Sequence, residues 1–192
     1  MAALTALLAS GNPHKLEELR AALPGWELQL LGSDGFPPET GETYYENAAG
    51  KARFGRAVGD PDAWVFGEDS GIEVEALGGA PGTASARWAD DGVARLLDEL
   101  AGVSDRRGRY VCELVALAPE GDEWRGTGIL TGTIALERRG DEGFGYDPIF
   151  VPTGEERTVA ELGNDWKRAS SHRARAAAAL RDALSATDRS GV

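Results

Sequence analysis

At 192 residues, 42% hydrophobic and 27% charged, the chain is sized for one soluble globular domain, 1–192, with a proper core. A formal net charge of −12 argues against the broad basic face that a DNA or RNA polymer demands, although one small phosphorylated ligand could still use a local basic pocket or a metal. No apolar run reaches membrane-spanning length, and the single cysteine, Cys112, excludes an internal disulfide and any multi-cysteine metal site.

The start, MAALTALLASGN, has no basic segment ahead of its apolar residues. It reads as the approach to a first strand rather than as a leader, so a reducing cytoplasm is the expected compartment, with no membrane partner. Of twenty basic residues only Lys15, Lys51 and Lys167 are lysine, and His14 and His172 are the only histidines. A chain that writes its positive charge as arginine calls for a reason wherever a compact ammonium survives, and close approach to a phosphate is one such reason.

Leu4–Ser10 is expected as a strand and Pro13–Leu23 as an amphipathic helix, with Leu16, Leu19, Ala22 and Leu23 at helical spacing. Asn12 suits the N-cap and Pro13 the first helical position. Ser10, Gly11 and Asn12 therefore lie at a strand end before a helix N-terminus, where free N–H groups attract anions; Lys15 is one turn in. A plain capped helix accounts for the same residues. The Walker-type pattern G-x-x-x-x-G-K-[ST] is absent throughout.

Glu27–Leu31 is expected as a strand, Gly32–Gly41 as a loop and Thr43–Val58 as a helix. Within ETGETYYENAAGK, Glu39 falls in the loop while Glu46 and Lys51 lie on the helix. Trp64–Glu68 then reads as a strand and Ile72–Val74 as the return of a hairpin, with Ser70 and Gly71 as turn formers. This places Glu68 and Asp69, two carboxylates that repel each other, where a strand leaves the core. Either they are solvated turn residues or something positive sits between them.

Gly92–Leu100 is expected as a helix, and Arg109–Ala118 and Trp124–Glu137 as two strands joined by the turn PEGD. Cys112, in the run YVCELVALA, is expected to be a core thiol. GFGYDPIF, Gly143 to Phe150, reads as a glycine-punctuated loop entering a short strand. Phe144 and Tyr146 could stack on a base and Asp147 could orient a ring, or the loop is a tight turn that tucks its aromatics inward. Ala169–Ala186 reads as a closing helix; with Ser171 as N-cap, His172 and Arg173 fall in the first turn, where positive charge is disfavoured unless a ligand compensates, whereas a helix beginning near Asn164 would make them mid-helix residues. The mixture predicts an α/β domain with a mixed sheet.

Taken together, SGNPHKLEEL, ETGETYYENAAGKA, EDSGIEVEALGGAPGTASAR, GFGYDPIF and KRASSHR resemble, in this order, the inosine triphosphate pyrophosphatase family. The resemblance implies Mg²⁺-dependent cleavage of deaminated purine nucleoside triphosphates (ITP, dITP, XTP) to monophosphate and pyrophosphate by a homodimer. It also implies an elongated two-lobed α/β fold with a central mixed sheet flanked by helices and the active site in the cleft between the lobes. By the same resemblance Ser10, Gly11, Asn12, Pro13, His14 and Lys15 hold the triphosphate, and Asp69 is general base and metal ligand with Glu39. Ser70 touches substrate, and Lys51 and Lys167 contact phosphate or nucleotide. Phe144, Gly145, Tyr146 and Asp147 border the base, which His172 and Arg173 read. Glu68 stands where the family commonly has Asp, and Gly67 and Gly50 are unusual there. A Maf-like pyrophosphatase of different base preference and a non-catalytic nucleotide sensor are the alternatives.

Overall fold

The computed structural model describes residues 4–33 and 35–190, with side chains through 186. Met1–Ala3, the head of the segment read as leader-free, and Asp34, in the Gly32–Gly41 loop, lie outside the described residues. Among the described residues six strands form one mixed sheet: β1 (Leu4–Leu8), β2 (Trp26–Leu30), β3 (Trp64–Val74), β4 (Arg107–Leu117), β5 (Glu123–Ile134) and β6 (Phe150–Pro152), in the order β2-β1-β3-β4-β5-β6. The helices are α1 (Pro13–Ala22), α2 (Tyr44–Val58), α3 (Gly92–Glu99), α4 (Val159–Ser170) and α5 (His172–Ser190).

β1 pairs parallel with both neighbours, Leu8 standing opposite Leu30 of β2 and Phe66 of β3. β4 and β5 run antiparallel, since Ile134 N donates to Arg106 O at 2.8 Å and Ala118 N to Asp122 O at 2.9 Å, across the expected PEGD turn. β5 and β6 are antiparallel as well.

Two compact units divide the chain. The first comprises Met1–Asp69, Cys112–Gly128 and Arg173–Val192, the second Ser70–Val111 and Ile129–His172. In the first, Leu16 and Leu19 of α1 and Ala176 and Leu180 of α5 pack with Leu8, Phe66, Cys112 and Leu114. Ala48 and Ala52 of α2 pack on Val115 and Leu117, residues of opposite strand parity, so α2 covers the other face. In the second, Val93, Leu96 and Val159 close over Ile72, Val74, Tyr110, Ile134 and Phe150.

Three expectations are corrected. Ser70 and Gly71 make no turn: β3 runs on to Val74, buried along most of its length, and Glu68 and Asp69 lie inside it. The reversal comes later, at Gly78 (φ +62°) and Gly79 (φ +92°), where Gly79 N donates to Val74 O at 3.0 Å and Val74 N to Ala80 O at 3.2 Å. Ser70 and Gly71 have turn chemistry, but a strand enclosed on its faces gains more by continuing its ladder than by turning.

The closing helix begins at His172, not Ala169, because Ser171 is extended (φ −64°, ψ 164°) and ends a separate helix, α4. That helix begins with a capping box, the Thr158 hydroxyl accepting from Glu161 N and the Glu161 carboxylate accepting from Thr158 N. Gly163, at φ +86°, breaks its apolar periodicity. β5 also stops at Ile134, short of Glu137.

Candidate active site

Asn12 caps α1, its side-chain oxygen accepting from His14 N at 2.9 Å while Ser10 Oγ accepts from Asn12 N at 3.1 Å. With Pro13 first in the helix and no acid in its first turn, the exposed start keeps the partial positive charge of its leading N–H groups. Ser10, Gly11, Asn12, Pro13, His14 and Lys15 are therefore contiguous around one helix start.

Consecutive strand residues point to opposite faces, which decides how Glu68 and Asp69 are used. Asp69 faces α2. Its Oδ1 accepts from Lys51 Nζ at 2.9 Å and its Oδ2 from Asn47 Nδ2 at 3.1 Å. Lys51 Nζ also donates to the Glu68 carbonyl at 3.0 Å and pairs with Glu39 Oε1, so three acceptors meet its three protons. Asn47 Oδ1 accepts from Gly41 N at 2.8 Å and fixes the loop that delivers Glu39.

Gly67 makes this approach possible. A Cβ there would lie 2.0 Å from Ala48 O and 2.7 Å from Ala52 N, so only glycine lets the α2 backbone rest on β3 and bring Lys51 to Asp69. Gly50 has no neighbour within 4 Å of such a Cβ, and nothing in the structure explains it. Burial raises the Asp69 pKa, with Glu39 and Glu68 adding to the effect and Lys51 opposing it. For Lys51, burial disfavours the ammonium, yet Asp69, Glu68 and Glu39 outweigh it and leave the pKa raised.

Glu68 faces α1 and α5 and is wholly buried. Lys15 Nζ lies 2.6 Å from its Oε2 as an ion pair without hydrogen-bond alignment. Its Oε1 accepts from Arg173 Nε at 2.9 Å and from the Cys112 thiol at 3.5 Å. Arg173 Nη1 donates to Glu18 Oε2 at 2.9 Å. Burial alone would raise the Glu68 pKa, but Lys15, Arg173 and Lys51 hold it well below the ordinary value. Cys112 is a buried free thiol, as expected of a core residue, and burial with the Glu68 charge pushes its pKa up.

In the second unit, Asp147 is the anchor. Its Oδ2 accepts from Lys167 Nζ at 2.7 Å and Phe144 N at 2.8 Å, and its Oδ1 from Tyr110 OH at 3.3 Å. Lys167 Nζ also sits 4.3 Å from the Phe144 ring centroid, and His172 stacks on Tyr110 at 4.5 Å and 7°. Gly143, at φ +81°, leaves room where a Cβ would meet Asp147 Oδ2 at 2.3 Å. Tyr146 is buried, its hydroxyl donating to Ser85 O at 3.1 Å; Gly145 is exposed and Ser70 partly exposed on β3.

Among the expected residues three gatherings form in addition to the α1 start: Glu39, Lys51 and Asp69; Lys15 and Arg173 on Glu68; and Phe144, Asp147, Lys167 and His172. Asn47, Glu18 and Tyr110 were not anticipated. Asn47 precedes Lys51 by four residues and Glu18 follows Lys15 by three, so same-face helical spacing was the available signal for both. Tyr110 had none.

A family model described as the Ham1 family matches residues 6–183. The dITP/XTP pyrophosphatase of Deinococcus deserti is 45% identical over 185 residues, covering 92% of this chain and 88% of its own length. The dITP/XTP pyrophosphatase of Mycobacterium tuberculosis is 47% identical over 201 residues, covering 96% and 97%. The solved Ham1 protein of Staphylococcus aureus superposes with a TM-score of 0.83 at 33% identity, covering 95% of this chain and 99% of that one.

Proposed function

Because the chain belongs to the Ham1 family, we propose that it hydrolyses deaminated purine nucleoside triphosphates (ITP, dITP and XTP) to the nucleoside monophosphate and pyrophosphate. The named activity of its relatives supports this reading. The observation that carries it is the buried Asp69 carboxylate, bonded on both oxygens yet raised in pKa by burial.

Asp69 is the proton acceptor. A carboxylate offers about four acceptor sites, of which Lys51 and Asn47 fill two, so the hydrogen of a water can take another. A positioned base of this kind is worth about 10²–10⁴-fold in rate. Glu39 and Asp69 are hard oxygen donors suited to Mg²⁺, which is usually held by one or two carboxylates plus substrate phosphates. Glu39 and Asp69 would hold the ion. When bound it would withdraw charge from phosphoryl oxygens and ease deprotonation of a water. The residues Ser10, Gly11, Asn12, Pro13, His14 and Lys15 face the triphosphate through the α1 N-terminus, and Lys51 stabilises charge on the departing pyrophosphate.

Base selection is assigned to Phe144, Gly145, Tyr146, Asp147, Lys167, His172 and Arg173, with Ser70 touching substrate. Inosine and xanthine present an acceptor at the purine 6-position where adenine presents a donor. Donors on His172 and Arg173 would discriminate by up to about 10⁴–10⁵-fold, so Arg173→Ala should weaken the preference for ITP over ATP. The resemblance extends the reading to a homodimer in the cytoplasm. A panel of nucleoside triphosphates assayed for pyrophosphate with and without Mg²⁺ tests the proposal: ITP, dITP and XTP should release pyrophosphate only with the ion. Equal turnover of ATP, or orthophosphate as first product, would refute it.

A further inference from the structure

We propose that Glu68 is a positioning residue, the common counter-ion and acceptor that sets the three cations Lys15, Lys51 and Arg173, and that it is not a metal ligand. The inference rests on the reading above for what the cations are for, but its geometry is separate.

Glu68 and Asp69 are adjacent on β3, so their side chains leave opposite faces and cannot chelate one ion together. Both Glu68 oxygens are already engaged by cations, Oε2 by Lys15 at 2.6 Å and Oε1 by Arg173 at 2.9 Å, with the Cys112 thiol beside the latter. A divalent ion would have to reach a wholly buried carboxylate past two positive groups. The Glu68 carbonyl takes Lys51 on its own account at 3.0 Å, so one residue touches all three cations.

Lys15 and Glu18 stand on one face of α1, and Arg173, the second residue of α5, joins Glu18 to Glu68. The four side chains Lys15, Glu18, Glu68 and Arg173 are formally neutral together. Removing the Glu68 charge leaves two cations against one carboxylate in a buried place, and Lys15 loses the partner that fixes where its ammonium points. Glutamate fits this duty better than aspartate because its extra methylene carries the carboxylate from β3 out to α1 and α5 together.

The test uses the full chain with Glu68→Gln, Glu68→Asp, Lys15→Met and the Glu68→Gln/Lys15→Met double variant. Mn²⁺ affinity is read by electron paramagnetic resonance without nucleotide, inorganic tripolyphosphate affinity by calorimetry, and kcat and KM on ITP. Glu68→Gln should weaken tripolyphosphate binding and raise KM by about tenfold, with Mn²⁺ affinity within about twofold of wild type. Glu68→Asp should shift both in the same direction by less, and the double variant should bind little worse than the weaker single. A fall of about tenfold in Mn²⁺ affinity would make Glu68 a ligand. Wild-type tripolyphosphate affinity and KM in Glu68→Gln would remove it as a positioning group, and additive losses in the double variant would separate it from Lys15. Should Glu68→Gln fail to fold, Glu68→Asp decides alone: an unchanged KM or a lost Mn²⁺ affinity overturns the proposal. Wild-type chain that releases no pyrophosphate from ITP would sink the activity, while the Mn²⁺ and tripolyphosphate measurements would still decide the role of Glu68.

Discussion

Lys51 Nζ lies 2.9 Å from Asp69 Oδ1, with both residues almost sealed from solvent. The helix and the strand that bring them together are joined by no short sequence spacing. They meet because Gly67 has no side chain between the α2 backbone and β3.

Lys51→Met should therefore cost stability, not only activity. It removes the ammonium from the Asp69 carboxylate in a buried place. Losing one partner of such a pair typically costs about 3–5 kcal/mol. Urea unfolding should show the midpoint fall with little change in slope, and a midpoint equal to wild type would mean that the pair does not matter to the fold.

Gly67→Ala should be disproportionately harmful for a single methyl. The added carbon meets Ala48 O at 2.0 Å, a backbone atom that cannot rotate away. Overpacking of this kind costs about 1–3 kcal/mol, occasionally more. Because the relief is for α2 to lift, turnover should fall more steeply than stability. Thermal unfolding and pyrophosphate release on the same samples check this, and a variant with normal turnover would show that α2 need not touch β3.

The two neighbouring acids should respond oppositely to pH. Glu68 has its pKa depressed in the folded chain despite burial, so its stabilisation is present above the ordinary Glu value of 4.5 and is lost as pH falls through the depressed one. Asp69 has its pKa raised, first by burial, so its contribution is full below the ordinary Asp value of 3.8 and is lost as pH rises through the folded value. Urea midpoints followed through the acid range should show Glu68→Gln abolishing a loss of stability at the acid end. Asp69→Asn should abolish a loss that sets in as pH rises above 3.8. The same slope change in both variants would contradict the assignment.

Local chemistry was the legible part of the chain. Asn12 sits directly beside the helix it caps, and the paired acids stood out as needing positive charge nearby. That need is met by Lys51 at Asp69 and by Lys15 and Arg173 at Glu68, a partition that only the alternation of β3 reveals. Ser70 and Gly71 misled because turn propensity is overridden when a strand is buried along its length, and the reversal waited for Gly78 and Gly79. Helix α4 was hidden by Gly163, whose positive φ interrupts the apolar repeat, although Thr158 and Glu161 spelled its capping box. Asn47 and Glu18 share a helical face with Lys51 and Lys15, a spacing visible in the sequence, but the groups they hold, Asp69 and Arg173, come from distant elements that the spacing does not name.

The role of Asp69 is tested most directly by Asp69→Asn, which keeps the shape of the side chain and removes its capacity to take a proton. Pyrophosphate release from ITP and affinity for a non-hydrolysable ITP analogue should be measured on the same preparation. Turnover should drop by about 10²–10⁴-fold with the analogue still bound within about tenfold of wild type. Turnover within a few fold of wild type would mean that another group accepts the proton, and the mechanism centred on Asp69 would be wrong.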